Sequence, residues 1–189
     1  MNKLIIWMII MGIAEIGTAQ EETLLGKTTA NGGFGAPVIK VTTVNNTGTM
    51  LTGIRGGWIL DHSFIIGAGS YNLVNEFDAG VQSYQMNYSG LELEYIFRPM
   101  ALFHYSVYLL AGGGEIRQKK PGNWTPALAG ADGIVVLVPA VHVLMNVSEY
   151  FHAGAGIGYR WMGDVETANL RNSDISGLEA SLTLNFGKF

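Results

Sequence analysis

The sequence predicts an all-β chain: a transmembrane up-and-down antiparallel β-barrel of about eight strands, following an N-terminal signal peptide. Three observations carry that expectation. The chain is apolar overall, with a mean hydropathy of +0.24 and 14% charged residues, yet it has no apolar run long enough for a membrane helix, the N-terminal run included. Apolar residues instead alternate with polar residues or glycine over segments of strand length. Apart from the first, Asn45-Asn46-Thr47-Gly48, which is short where a long loop would fit, the connections between those segments are tight and long by turns, as expected of an up-and-down membrane barrel.

The N-terminus reads Met1-Asn2-Lys3, then an apolar run from Leu4 to Ala14, then Gly17-Thr18-Ala19 ahead of Gln20-Glu21-Glu22. A charged start, a short apolar core and small residues at the cleavage positions are expected of a signal peptide over 1–19, cut after Ala19. A polar lead-in over 20–32 follows, and 33–189 holds the barrel. Strand segments are expected near 33–44, 49–60, 63–74, 84–97, 102–116, 133–146, 151–162 and 175–188.

Alternation is clearest late in the chain. Phe151, Ala153, Ala155, Ile157, Tyr159 and Trp161 share one face, opposite His152, Gly154, Gly156, Gly158 and Arg160. Leu178, Ala180, Leu182, Leu184 and Phe186 likewise oppose Gly177, Glu179, Ser181, Thr183 and Asn185. The segment 49–60 sets Met50, Ile54, Trp58 and Leu60 against Gly53, Arg55 and Gly57. Pro37 implies a bulge or a distortion in the first strand. Tight turns are expected at Asp61-His62, Arg98 to Ala101 and Val147 to Tyr150; long loops run over 75–83, 117–132 and 163–174. Trp58, Phe64, Phe97, Phe103 and Phe151 fall near the tight turns, and Tyr71, Tyr84, Tyr88, Tyr159 and Trp161 towards the loops, a pattern that implies two interfacial bands.

Composition excludes some function classes. A net charge of −4 gives no reason to expect nucleic acid. The absence of cysteine in an exported chain places stability in closed hydrogen bonding and a lipid cover rather than in disulfides.

With these strands, and with its ending Leu184-Asn185-Phe186-Gly187-Lys188-Phe189, the chain resembles the small eight-stranded outer-membrane barrels, the group of the OmpA membrane domain and OmpX-like proteins. The resemblance implies a bacterial outer-membrane location, tight turns in the periplasm, loops outside, outer-membrane lipids as neighbours and the barrel assembly machinery as a partner during biogenesis. In the family pattern the terminal Phe faces lipid. Here Phe186 is in phase with Leu182 and Leu184 while Phe189 is not, so either a bulge at Gly187 restores the phase or Phe186 carries the signal.

The polar faces bring Lys40, Arg55 and Arg160 into one lumen with Glu92, Glu94 and Glu179. An eight-stranded barrel is only wide enough for side chains to fill, so these charges are expected to pair as a structural network. Arg160 and Glu179 are expected nearly opposite each other. Lys40 and Arg55 are expected level on adjacent strands, a like-charge pair calling for a carboxylate from Glu92 or Glu94. His62, His104, His142 and His152 read as solvated interfacial groups, and no motif supports a metal site, a cofactor or a catalytic group, the Ser106/His104 proximity included. The loop residues Arg117, Lys119, Lys120 and Trp124 could hold lipid phosphates, lipopolysaccharide among them. The resulting expectation is a monomeric, non-enzymatic membrane anchor whose loops make weak lipid or partner contacts. A narrow pore is the alternative; a lipid-modifying enzyme and a soluble lipocalin-like barrel are further ones.

Overall fold

The computed structural model describes residues 31–79, 82–119, 131–166 and 170–189. Its strands are β1 (Asn31–Val44), β2 (Thr47–Leu60), β3 (Phe64–Leu73), β4 (Phe77–Ala79), β5 (Gln82–Phe97), β6 (Phe103–Lys119), β7 (Ala131–Ser148), β8 (Phe151–Gly163) and β9 (Gly177–Lys188). A single helical turn, α1 (Asn172–Ile175), precedes β9. All pairings are antiparallel, β1 bonds to β9, and β3 bonds to β5 around the short β4, so eight strands close into a barrel. The signal peptide expected over 1–19 lies outside the described residues. β1 begins at Asn31, inside the segment read as lead-in.

Turn chemistry fixes the register. Asn45 and Asn46 both adopt positive φ, 47° and 61°, as a two-residue type I′ hairpin requires, and Asn tolerates that region. β1 and β2 therefore pair from Val44↔Thr47 down to Asn31↔Leu60 without a slip. Pro37 makes no bulge: it stays in register with Ile54 and, lacking an N–H, interrupts the ladder to β9 between Gly35↔Phe186 and Val38↔Thr183. The register irregularity falls instead in β7 and β8, between Asn146 and Ser148.

A perpendicular row of partners shows how the barrel closes. It runs from Ile59 through Ile65, Glu94, Tyr108, Ala140, Gly158, Glu179 and Thr42, and returns to β2 at Thr49, ten residues from its start. A stagger of that size over eight strands tilts them by about 40° from the barrel axis. That tilt decides which lumen residues meet across the interior.

The two faces are inverted relative to a water-soluble barrel. Ile54, Trp58, Leu91, Val143, Ile157 and Leu178 are exposed outside, while all six expected lumen charges are buried inside. An outer wall of this kind is stable only in contact with lipid, because there is no water-facing polar surface over the band. Leu182 is 62% exposed whereas its neighbour Thr183 is 4% exposed, so the period-two reading of β9 gives the faces directly. Leu182→Arg should accordingly cost about 2–4 kcal/mol of folding free energy in lipid vesicles, measured by urea titration; a cost under about 1 kcal/mol would reverse the assigned faces.

The aromatic bands need correction. Trp58, Phe64 and Phe103 near the tight turns, and Tyr159 and Trp161 near the loops, face outward as expected. Tyr71, Tyr84 and Tyr88 do not: each is about fully buried, at 1% exposure, in the lumen core. They belong to a cluster at the loop end that includes Val44, Leu51, Phe77, Ile116, Met162 and Ile175. Part of the loop after β8 thus folds into the mouth, where Ile175 of α1 is fully buried. The Arg171 backbone N–H donates to the Asp174 carboxylate at 2.9 Å and holds that carboxyl below its ordinary range. A second cluster, Phe34, Ala36, Ile59, Ile65, Ile96 and Leu144, closes the tight-turn end.

The C-terminus resolves the question of phase. β9 pairs regularly through Phe34↔Gly187 and Gly33↔Lys188, with no bulge at Gly187. Phe186 faces outward and stacks on Phe151, with ring centres 4.9 Å apart. Phe189 turns inward, stacks on His152 at 3.6 Å and packs against the lower cluster.

Candidate functional site

The middle of the lumen is a polar layer between the two apolar clusters. β1, β2, β5, β8 and β9 each carry a charged side chain on the inward parity, and glycines on neighbouring strands make room for them. A Cβ on Gly69 would lie 2.1 Å from Glu92 Oε1 and 2.9 Å from the Tyr71 hydroxyl, and one on Gly156 would lie 1.9 Å from the His142 ring. The glycine faces seen in the sequence are therefore the space that large lumen side chains occupy.

The six charges divide into two trios, each built around a hub. Arg55 is the first hub: Nε donates to Glu92 Oε2 and Nη2 to Glu94 Oε2, both at 2.7 Å. Glu92 accepts two further bonds on Oε1, from the Tyr71 and Tyr108 hydroxyls, each at 2.7 Å. Glu94 Oε1 accepts from Ser106 at 2.5 Å and faces His142 Nδ1 at 3.0 Å. Glu179 is the second hub. Its Oε1 accepts from Lys40 Nζ at 2.7 Å and its Oε2 from Arg160 Nη1 at 3.4 Å. Arg160 also donates to the Ile175 carbonyl from Nε and Nη2, at 3.2 and 3.0 Å, which ties α1 to the lumen charges. Lys40 Nζ lies 4.0 Å from the Tyr71 ring centre and so joins the trios.

Two expected juxtapositions change. Lys40 and Arg55 are not level: Lys40 faces Leu51 and Arg55 faces Ala36, because the hairpin turns on two residues rather than four. Lys40 is matched by Glu179, and both Glu92 and Glu94 go to Arg55. Arg160 faces Gly177 in the ladder, and Glu179 faces Gly158, so the pair meets diagonally and is the longest ion pair in the lumen among the described residues.

Sequence reasoning missed Tyr71, Tyr88, Tyr108, Ser106 and His142 as lumen groups. Their parity was available as a signal: Tyr88 is in phase with Glu92, and Ser106 and Tyr108 with His104 and Leu110. The histidines depart from the solvated reading. His104, His142 and His152 are all buried inside, and only His62 stays partly open.

Little space remains. The gap bounded by Lys40, Arg55, Tyr71, Tyr108, His142 and Glu179 amounts to about 10 Å³, room for no more than one water. The loop group expected to hold phosphate is only partly within view. Arg117 is about half exposed and ion-paired to Glu115, the backbone of Lys119 ends β6, and Lys120 and Trp124 lie outside the described residues.

No protein-family model and no curated protein sequence matches the chain. Solved structures do. The crystal structure of Neisserial surface protein A superposes with a TM-score of 0.63 at 12% identity, over 85% of this chain and 99% of that one. The attachment invasion locus protein Ail of Yersinia pestis superposes with a TM-score of 0.54 at 10% identity, over 83% and 97%. The same values hold for Ail in complex with the heparin analogue sucrose octasulfate. Identities this low carry the architecture and nothing finer. Eight closed strands, an apolar outer wall and a packed polar lumen give this chain the fold of the small eight-stranded outer-membrane β-barrels.

Proposed function

We propose that this protein is a non-conducting anchor of the bacterial outer membrane, whose tight turns face the periplasm and whose loops meet lipid or a partner outside. The packed lumen carries the reading. Three cations and three carboxylates lie within two hydrogen-bonded trios, and among the described residues the gap left between them is about 10 Å³, room for about one water. A pore would need its constriction wetted, and here the constriction is already occupied by side chains whose polar groups bond to one another. Apolar clusters above and below add two further closures. The working surface of such an anchor is its loops. Arg117, followed in the sequence by Lys119 and Lys120, supplies charge for phosphate groups of the outer leaflet, although Arg117 must first be released from Glu115.

Planar-bilayer recording of the purified chain tests this. The expected result is no steady conductance above the lipid baseline. Sustained single-channel steps from the unmodified protein would replace the anchor with a narrow pore.

A further inference from the structure

The tight-turn mouth holds a feature that anchoring does not use. His104 on β6 and His152 on β8 both point into the lumen there, exposed by only 4% and 8%, and their ring centres lie 6.0 Å apart at an interplanar angle of 74°. They line a cavity of about 380 Å³ together with His62, Met100, Asn146 and Phe189. His104 Nδ1 sits 3.1 Å from the Ala101 carbonyl, to which it donates as the Nδ1–H tautomer. That carbonyl also accepts from Asn146 Nδ2 at 3.0 Å, so the ring is held in place. Among the described residues His104 Nε2 and both His152 ring nitrogens have no hydrogen-bond partner. None of these three nitrogens is fully enclosed, so each is reachable by a ligand entering from the mouth.

We propose that this mouth binds one late first-row transition-metal ion, Cu or Zn, between His104 Nε2 and His152. A backbone-anchored Nδ1–H with a free Nε2 is the arrangement that orients a metal-ligating imidazole. Metal–nitrogen distances of about 2.0–2.1 Å would put two imidazole centres about 5–6 Å apart, so the observed spacing needs only small ring rotations. Imidazole favours Cu and Zn over harder cations, and the thioether of Met100 on the same cavity adds a soft donor. Among the described residues no three His, Asp or Glu side chains form a ready-made cage. The site therefore has two protein ligands and open positions for water or Met100, which makes the ion exchangeable with the periplasm rather than a folding element. Phe189 stacks on His152 and covers it, so the C-terminal residue shields the site.

The test is titration of the full-length refolded protein in detergent with ZnCl₂ and with CuSO₄, followed by calorimetry, and by EPR for Cu(II). The expected outcome is one ion per chain, with nitrogen hyperfine structure from two imidazoles. His104→Asn keeps a donor for the Ala101 carbonyl, and His152→Phe keeps the stack on Phe189. Each should weaken binding at least tenfold while heat-modifiable migration shows an intact barrel. Absence of binding by the unmodified protein at millimolar ion, or binding unchanged in both His104→Asn and His152→Phe, would overturn the proposal.

Discussion

Replacing Arg55 with methionine should destabilise the barrel by about 3–5 kcal/mol, the loss expected when a buried ion pair is broken by removing one partner. The reason is geometric. Among the described residues Arg55 is the one guanidinium that reaches both Glu92 and Glu94, and both carboxylates are buried with their remaining lone pairs committed to Tyr71, Tyr108, Ser106 and His142. Methionine fills much of the volume, so the loss reports charge rather than a cavity. Two carboxylates would then face each other across a narrow interior, and each must be protonated or hydrated. Adding Glu92→Gln and Glu94→Gln to the same chain should recover a large part of the loss, since neutral amides can keep the tyrosine and serine bonds. Urea titration in lipid vesicles measures both. A loss below about 1 kcal/mol for Arg55→Met would mean that water already reaches the trio, and the non-conducting reading would fall with it.

Glu179 should show the second large effect, and an asymmetric one. Glu179→Gln leaves Lys40 and Arg160 buried with no carboxylate of their own, so a loss of about 3–5 kcal/mol is expected. Arg160→Met should cost less, because Glu179 keeps its shorter bond to Lys40, 2.7 Å against 3.4 Å. What Arg160→Met does remove is the anchor on the Ile175 carbonyl, so its effect should appear in protease sensitivity of the loop around α1 more than in global unfolding. Equal losses for the two variants would show that Arg160, not Lys40, is the main partner of Glu179.

These expectations differ from what the sequence suggested for the same residues, and the difference separates the two kinds of information. Local alternation is a property of the strand itself: successive side chains leave opposite faces, so Leu182 and Thr183, or Ile54 and Arg55, must part company once the segment is extended. The membrane wall, the strand segments, the tight and long connections and the inward set of six charges were legible on that ground alone. Even Phe186 rather than Phe189 as the lipid-facing terminal aromatic follows from unbroken parity.

Which inward groups meet was not a local matter. It depends on the ten-residue stagger by which the ring closes, and on the two-residue turn at Asn45-Asn46 that shifts β2 against β1. A shift of two residues keeps every side chain on its face but changes every neighbour, which is why the charges were identified while the Lys40–Arg55 relation was misplaced; Arg160 and Glu179 do pair, diagonally rather than directly opposite. Tyr71, Tyr84 and Tyr88 lie in the lumen because they share the inward parity of their strands, a signal that their amphipathic rings, equally suited to an interface, masked. The pairing of His104 with His152 likewise joins β6 to β8 across β7, at a level set by the barrel's tilt. Face is decided by the backbone's period of two, whereas partnership is decided by closure, and only the closed barrel supplies that.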